Sequence, residues 1–307
     1  MNRIPDLQNS EDHLKELAAQ RQLYSEAKTT MGWQMGLVIS AAIGLSFAAL
    51  LFPKIQEWGA LLALLISLLD AVVLEPRQKK LAQQAAKIQD AFDWAVFNLE
   101  GPGVKLENRP VKEMVIASAE RYARKEPDFA SLKNWYPISV GQAPLSLARI
   151  ICQRTNIWWD AELRRRYATS VFICLGTLIV IVLGYGFATG MTLQKFVYAV
   201  LAPLQPAILW AIREYKKQLE TASTLDRLMK QATDLFEQAC RKSLTDDQLK
   251  QASRSLQNEI YDHRRTAPFI FDRIYKRLRK DDEDKMNKAT DALLAECQNK
   301  EKENSYE

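Results

Sequence analysis

The stretch RTNIWWDAELRRRYATSVFICLGTLIVIVLGYGFA, residues 154–188, is the clearest indication of the fold class of this 307-residue chain. Its second part, from Ala168 to Ala188, has no charged residue in 21 positions. As a helix, that run is long enough to cross the roughly 30 Å hydrocarbon core of a bilayer. Its first part is polar and basic, with two adjacent tryptophans and three consecutive arginines. The stretch therefore predicts a helix that enters a membrane directly after a polar segment.

Three more apolar runs predict three more spans. They cover residues 32–53, 58–74 and 196–212, and together with 168–188 they form two hairpins with very short outer turns. The mean hydropathy of −0.23 conceals these runs because the charged residues are concentrated elsewhere in the chain. The chain is thus predicted to be a membrane protein with four transmembrane helices.

The distribution of Lys and Arg near the span ends predicts the orientation. Thirteen of them lie on the side that carries both termini, whereas only Lys54 and Lys195 lie on the other side. Because positive residues accumulate on the cytoplasmic side, both termini are expected in the cytoplasm. The cytosolic part would then be built from three pieces, residues 1–31, 75–167 and 213–307.

These cytosolic pieces are expected to be α-helical. Apolar residues recur at alternating four- and three-residue spacing after the second and fourth spans, so both spans are expected to continue as helices out of the membrane. A capping box formed by Thr245 and Gln248 predicts a further helix start. The two apolar stripes are Leu81, Ala85, Ile88, Phe92 and Ala95, and Leu225, Leu228, Ala232, Leu235 and Ala239.

A stripe of small residues in the first span predicts close helix packing. The four residues are spaced four apart, which places them on one face of a helix, and small side chains let helix backbones approach closely in lipid. Packing between spans of one subunit and packing between subunits both fit this pattern. The stripe consists of Gly36, Ser40, Gly44 and Ala48.

Four polar or helix-breaking residues in the spans are candidates for a pore or a gate. Asp70 is the only carboxylate inside a predicted span, and a charge at that depth is costly enough to suggest a function. It lies about one turn from the cytoplasmic end, so an interfacial position fits equally well. Weaker candidates of the same kind are Gln34, Gln205 and Pro203.

The sequence lacks the common motifs of enzymes and metal sites. His13 and His263 belong to neither a zinc motif nor a catalytic triad, and no phosphate-binding glycine motif is complete. We therefore expect no enzymatic activity, no metal and no cofactor. The formal net charge of +5 is too small to predict DNA or RNA binding. The four cysteines, at 152, 174, 240 and 297, form no close pair and are expected to be unpaired thiols.

Three cytosolic stretches combine aromatic, amide and guanidinium groups. Aromatic rings stack on nucleobases, and guanidinium groups bind phosphates through paired donors, so this mixture is typical of nucleotide sites. In the first stretch we expect these groups near the start of a helix, where free backbone N–H groups would also bind an anion. Membrane-flanking arginines and burial of the tryptophans are the competing explanations. The candidate residues are Arg154, Asn156, Trp158, Trp159 and Arg165; Asn258, Tyr261, Arg264 and Arg265; and Arg21 and Tyr24.

The three stretches and the four-span arrangement resemble the SMODS-associated four-transmembrane effectors, a family of pore-forming proteins. The segments that carry the resemblance are LQNSEDHLKELAAQRQLYSEAK, ARIICQRTNIWWDAELRRRYA and SLQNEIYDHRRTAPFIFDRIY. The resemblance implies an effector of cyclic-oligonucleotide antiphage signalling (CBASS) in the bacterial inner membrane. Such an effector would bind a cyclic di- or trinucleotide, form a homo-oligomer and permeabilise the lipid bilayer. The rival interpretation is a constitutive channel or transporter whose helical domain only supports assembly.

Overall fold

The computed structural model describes residues 2–51, 56–99 and 110–303 of the chain. These residues form helices joined by short turns and include no strand, so the all-α prediction is confirmed. Two short 3₁₀ helices, Ala130–Leu132 and Ile138–Gln142, lie in the connection that precedes α6. The α-helices are α1 (Ile4–Leu7), α2 (Glu11–Leu51), α3 (Gln56–Leu69), α4 (Glu75–Val96), α5 (Lys112–Ala123), α6 (Leu145–Ala188), α7 (Leu193–Phe196), α8 (Ala202–Cys240), α9 (Asp246–Thr266) and α10 (Asp272–Glu303).

Three of the predicted spans are parts of longer helices. The first span from residue 32 is the second half of α2, the third is the second half of α6, and most of the fourth is the start of α8. The predicted boundaries at 31/32, 167/168 and 212/213 therefore fall inside helices of 41, 44 and 39 residues. The end of the first span and the first half of the turn after it, residues 52–55, lie outside the described residues.

One helix of the described residues, α6, is clearly long and apolar enough to cross a membrane. None of its most apolar 18-residue window is buried within the chain. Large apolar side chains are also exposed in the other predicted spans, for example Trp58 at 71 %. Contiguous exposed apolar surface of this kind indicates contact with lipid or protein.

Two π-helical segments lie within predicted spans, one at the end of the second span and one near the start of the fourth. They comprise Asp70–Leu74 and Val197–Leu201, and each ends two residues before a proline, Pro76 or Pro203. Proline has no N–H to donate, and its ring clashes with the carbonyl four residues earlier. The wider π turn relieves that conflict without ending the helix, because it directs the carbonyls to donors five residues away.

The other described residues pack into one helical domain. Its largest core cluster joins α2, α4, α6 and α8 through residues such as Leu17, Phe92, Ile150 and Phe236, each exposed by 2 % or less. The stripe predicted for α4 supplies part of this core, whereas Leu225, Leu228 and Ala232 of the α8 stripe belong to a second cluster with α6 and α9. The predicted capping box at the start of α9 is confirmed, because Thr245 and Gln248 bond each other's backbone N–H.

The expectation of four unpaired cysteines is wrong for two of them. Cys240, at the end of α8, and Cys297, in α10, form a disulfide with a Cα–Cα distance of 5.0 Å. They are separated by 57 residues, so their spacing in the sequence contains no sign of the pairing. Cys152 is a buried free thiol and Cys174 is an exposed one.

The small-residue stripe of the first span faces outward. Gly36, Ser40 and Gly44 are exposed, and a Cβ added at either glycine would have no neighbour of the described chain within 4 Å. The side chain of Ala48 lies outside the described part. The structure therefore shows no packing within one subunit at these two glycines, and packing between subunits remains a prediction.

Candidate ligand-binding site

A cavity of about 220 Å³ lies inside the helical domain, on the side that faces the predicted membrane. Its walls come from α2, α4, α6, the end of α9, the α9–α10 linker and α10. They combine aromatic rings, amides and cationic groups with apolar side chains. The lining residues are Gln20, Arg21, Tyr24, Lys28, Gln89, Asn134, Trp135, Thr155, Asn156, Trp159, Asp160, Leu163, Arg164, Arg264, Ala267, Pro268, Phe269, Ile270, Glu283 and Met286.

The cavity brings together residues from all three stretches that the sequence selected. Arg21 and Tyr24 come from α2, Asn156 and Trp159 from α6, and Arg264 from α9. These helices are far apart in sequence, so only the tertiary fold places the five side chains around one space. The arrangement has the composition of a small-molecule site, which is mostly apolar with a few convergent polar groups.

The six other candidates do not line the cavity. Arg154 donates to the hydroxyl of Thr233 at 3.3 Å, and Arg165 pairs with Asp226 on the surface. Arg265 pairs with the nearby Asp262 at 2.8 Å. The remaining three are the exposed Asn258 and the partly buried Trp158 and Tyr261.

The predicted helix start near Arg154 and Asn156 is wrong. α6 begins at Leu145, nine residues before Arg154, so the Trp/Arg stretch lies in the middle of a helix. Its backbone N–H groups are used inside the helix and cannot bind an anion. Recognition by this stretch must therefore come from side chains alone.

Arg264 is held by a buried carboxylate at the base of the cavity. Its Nη1 lies 2.6 Å from Oδ2 of Asp93, which is fully buried. Asp93 also accepts hydrogen bonds from the hydroxyl of Tyr136 at 2.5 Å and from Nε2 of Gln257 at 3.0 Å. Burial alone would lower the pKa of Arg264, but the Asp93 carboxylate more than offsets it and raises that pKa. Asn156 joins the network by donating to the Tyr136 hydroxyl at 2.8 Å.

Arg164 was predicted to flank the membrane, and the structure corrects that interpretation. It is only 5 % exposed, and its Nη1 donates to Gln218 at 2.8 Å and to the carbonyl of Pro268 at 2.9 Å. Its Nε lies 3.1 Å from Oδ1 of Asp160, the pair expected from their spacing of four. Burial would raise the pKa of Asp160, but Arg164 and the hydrogen bond from His263 hold it well below its usual range.

Lys28 forms the wall of the cavity nearest the predicted membrane. Its Nζ pairs with Oδ1 of Asp272 at 2.6 Å, which ties α2 to the first residue of α10. Burial lowers the pKa of Lys28, and the Asp272 carboxylate opposes that effect. A second ion pair ties α10 to α6, because Arg166 lies 2.8 Å from the buried Asp282.

Several lining residues could not be selected from the sequence. Gln89 lies in α4, while Asn134 and Trp135 lie in the connection before α6, and none of them belongs to the three stretches that the sequence selected. Trp135 had a weak signal, since an aromatic residue next to an amide in a loop is suited to binding. Gln89 had none, because it is one of several glutamines in α4.

The candidate pore residues lie away from this cavity. Gln34 accepts a hydrogen bond from Nε2 of Gln78 at 2.5 Å, which joins α2 to α4. Asp70 begins the first π segment, and its buried Oδ1 has no hydrogen-bond partner among the described residues. Gln205 is exposed, and Pro203 lies in the first turn of α8 with its side chain outside the described part.

Comparisons with known proteins give a consistent result. A family model described as SMODS-associating 4TM effector domain matches residues 2–293. A relative from Bacillus cereus (strain VD146), named a probable CBASS effector molecule, is 26 % identical over 220 residues. That alignment covers 69 % of this chain and 73 % of the relative. No solved structure matches the chain.

Proposed function

This chain belongs to the SMODS-associating 4TM effector domain family, and on that premise we propose that it is a membrane effector of bacterial antiphage defence. In this proposal a cyclic oligonucleotide binds the cavity, and the spans rearrange in an oligomer to open a pore. Its four spans cross the bacterial inner membrane and both termini are cytoplasmic. The name of the Bacillus cereus relative supports the signalling context.

One observation carries the proposal: two helices that line the cavity continue without a break into predicted spans. In α2 the cavity residue Lys28 precedes the first span by four residues, or about 6 Å. In α6 Arg164 precedes the third span by four residues as well. A ligand that shifts either helix by a small amount would therefore displace the span attached to it.

The chemistry of the cavity suits a nucleotide with bridging phosphates. Tyr24, Trp135 and Trp159 offer flat apolar faces for bases, and stacking on aromatic rings stabilises bases of any sequence. Three cationic groups, Lys28, Arg164 and Arg264, each pair with an internal carboxylate. Phosphates entering the cavity would compete with those carboxylates, so binding would weaken contacts such as Lys28–Asp272.

Pore formation requires several subunits in this proposal. Four spans, two of them about seventeen residues long, enclose little space in a single chain. The outward-facing Gly36 and Gly44 of the first span supply a surface on which a second subunit could approach closely. Asp70 and the π segment that it begins are candidates for the moving part, because π turns are frequent at functional sites.

Dye release from liposomes tests the proposal. Purified protein is reconstituted into dye-loaded liposomes and exposed to a panel of cyclic di- and trinucleotides. Release that depends on one ligand supports the proposed function, whereas release without any ligand favours the constitutive channel. Consumption of the nucleotide without release would indicate an enzyme.

Substitution of Arg21 tests the same proposal at a single residue in the dye-release assay. Arg264 is a poor choice, because its removal would leave Asp93 buried without a countercharge. Arg21→Gln removes a cation that lines the cavity, and Arg265→Gln removes one that lies outside it. We expect ligand-dependent release to fall for Arg21→Gln and to be unchanged for Arg265→Gln, with both variants inserted normally. Equal release from the two variants would remove Arg21 from the site.

A further inference from the structure

We propose that Gln20 and Gln89 read the edge of a nucleobase in the cavity, and that the ligand is an adenine-containing cyclic oligonucleotide oriented with a phosphate toward Lys28. This inference rests on the proposed function of the same cavity. It adds the identity of the base, the residues that select it and the direction in which the ligand lies.

Gln20 carries the observation that points to a ligand. Its side chain is 98 % buried and lines the cavity, yet it has no hydrogen bond to any described residue. Gln89 on the neighbouring α4 also lines the cavity without a hydrogen-bond partner among the described residues. A buried amide without a partner is unusual, because buried polar groups are nearly always hydrogen-bonded. The two side chains thus have free donors and acceptors where a ligand would enter.

The other two amides of the cavity are already engaged. Asn156 donates to the hydroxyl of Tyr136, and Asn134 accepts a hydrogen bond from Nδ2 of Asn9 at 2.8 Å. Their hydrogen bonds position parts of the protein. Gln20 and Gln89 therefore stand apart as the amides available to a ligand.

The order of residues along α2 gives the ligand a direction. Gln20, Tyr24 and Lys28 are spaced four apart, so they lie on one face of the helix at intervals of about 6 Å. The amide is farthest from the predicted membrane, the aromatic ring follows, and the cation is closest to it. A base that contacts Gln20 and stacks on Tyr24 would extend its phosphate toward Lys28.

The amide group selects the kind of base. A glutamine side chain presents one donor and one acceptor next to each other, which matches the N6 donor and N7 acceptor of adenine. The corresponding edge of guanine presents two acceptors, O6 and N7, which are suited to arginine or lysine. Two glutamines at the base end therefore favour adenine over guanine.

Binding of cyclic di- and triadenylate and the matching guanylates to the full-length protein in detergent tests this inference. Calorimetry of the wild type should give an affinity about tenfold or more in favour of an adenylate, the effect expected for one well-placed pair of hydrogen bonds. Gln20→Met and Gln89→Met keep the length of the side chain and remove the amide. Each should reduce the adenine preference by about tenfold, whereas Gln83→Met, at an exposed glutamine of α4 outside the cavity, should leave it unchanged.

Lys28→Met tests the direction of the ligand. It should weaken binding of adenylates and guanylates alike and reduce the salt dependence of the affinity, while the adenine preference stays the same. A change of base preference with Lys28→Met would overturn the proposed orientation.

The outcomes separate this inference from the proposed function. If the wild type binds none of these nucleotides, or binds a guanylate as tightly as an adenylate, this inference is wrong, and the dye-release panel still decides the proposed function. If it binds them but the glutamine variants keep the wild-type preference, only the assignment of the base-reading residues is wrong. Thermal melting checks that the variants are folded. If Gln20→Met does not fold, the adenine preference of Gln89→Met, at a less buried position, tests the inference.

Discussion

The two halves of α6 are one continuous helix in two different surroundings. All of its buried residues lie at or before Ala168, and its polar side chains there bond to other segments, as Gln153 does to Ser253 and Gln257. Beyond Ala168 large apolar side chains are exposed, including Val180 at 70 % and Phe187 at 86 %. The hydroxyls of Thr169 and Ser170 in that half donate to carbonyls of their own helix.

The two halves of α6 are stabilised by different interactions. The cavity half, residues 145–168, is stabilised by buried polar groups that form hydrogen bonds with neighbouring helices. In the membrane half, residues 169–188, the backbone polar groups form hydrogen bonds within the helix, as they must in lipid. Its side-chain contacts are made by apolar and small residues. A substitution that destabilises one half should therefore leave the packing of the other half intact. A displacement of one half would still move the other, because the two share one helix backbone.

Substitution of Asp93 should produce the largest effect, and it should be confined to the cavity half. Asp93→Ala leaves Arg264 buried without a countercharge and removes the acceptor of Tyr136 and Gln257. We expect a loss of about 3–5 kcal/mol in the free energy of unfolding, measured by thermal or chemical denaturation in detergent. The control Asp226→Asn removes a surface pair of Arg165 and should change stability by at most about 1 kcal/mol. Equal losses in the two variants would refute this role of the buried network.

Two glycines test the membrane half with a matched pair. A Cβ at Gly186 would meet the ring of Phe196 at 2.7 Å, whereas a Cβ at Gly184 would have no described neighbour within 4 Å. Gly186→Leu should therefore separate α6 from α7 and destabilise the hairpin by about 1–3 kcal/mol, while Gly184→Leu should be tolerated. Protease resistance of the reconstituted hairpin measures the effect. Equal tolerance at both positions would show that this close approach is unimportant.

The smallest effect is a pH dependence that belongs to the cavity half. Burial raises the pKa of Asp90 to about 6 from its usual 3.8, against the opposing hydrogen bond from Gln257. Because the folded pKa is the higher one, this contribution to stability is present below about pH 4 and is lost as the pH rises through about 6. Asp90→Asn should therefore be more stable than the wild type above about pH 7, by roughly 1–2 kcal/mol, and similar to it near pH 4. Parallel stability profiles of the two proteins would contradict the assignment.

The apolar half of α6 and the three stretches that meet at the cavity could be selected from the sequence because each is a local signal. An uninterrupted apolar run of about twenty residues predicts a span, and a mixture of aromatic and basic residues predicts a candidate ligand contact. The three consecutive arginines show what a local signal cannot predict, namely the different surroundings of each side chain. They look alike in sequence, but successive residues on a helix point about 100° apart. Arg164 is consequently buried in the cavity wall, Arg165 pairs with Asp226 on the surface, and Arg166 reaches Asp282 of α10.

The remaining features depend on which segments the fold brings together. Gln89 becomes a cavity residue only because α4 packs against α2. The Cys240–Cys297 disulfide depends on α10 returning to the end of α8. The sequence predicts the start of α6 too late, because the Gly and Pro of SVGQAP, residues 139–144, favour a break in the helix pattern. Pro144 is instead the residue directly before the first turn of α6.

The proposed function requires α6 to transmit ligand binding from the cavity to the membrane. The most direct test is a measurement of nucleotide binding and dye release on one liposome preparation of a variant with two glycines inserted between Ala168 and Thr169. Glycine is unfavourable inside helices, so the insertion weakens the connection between the halves. The same insertion after Gly190, in the turn between α6 and α7, is the control. We predict that the first variant binds the ligand but releases little dye, while the control releases it normally. Full release from both variants would contradict transmission through α6.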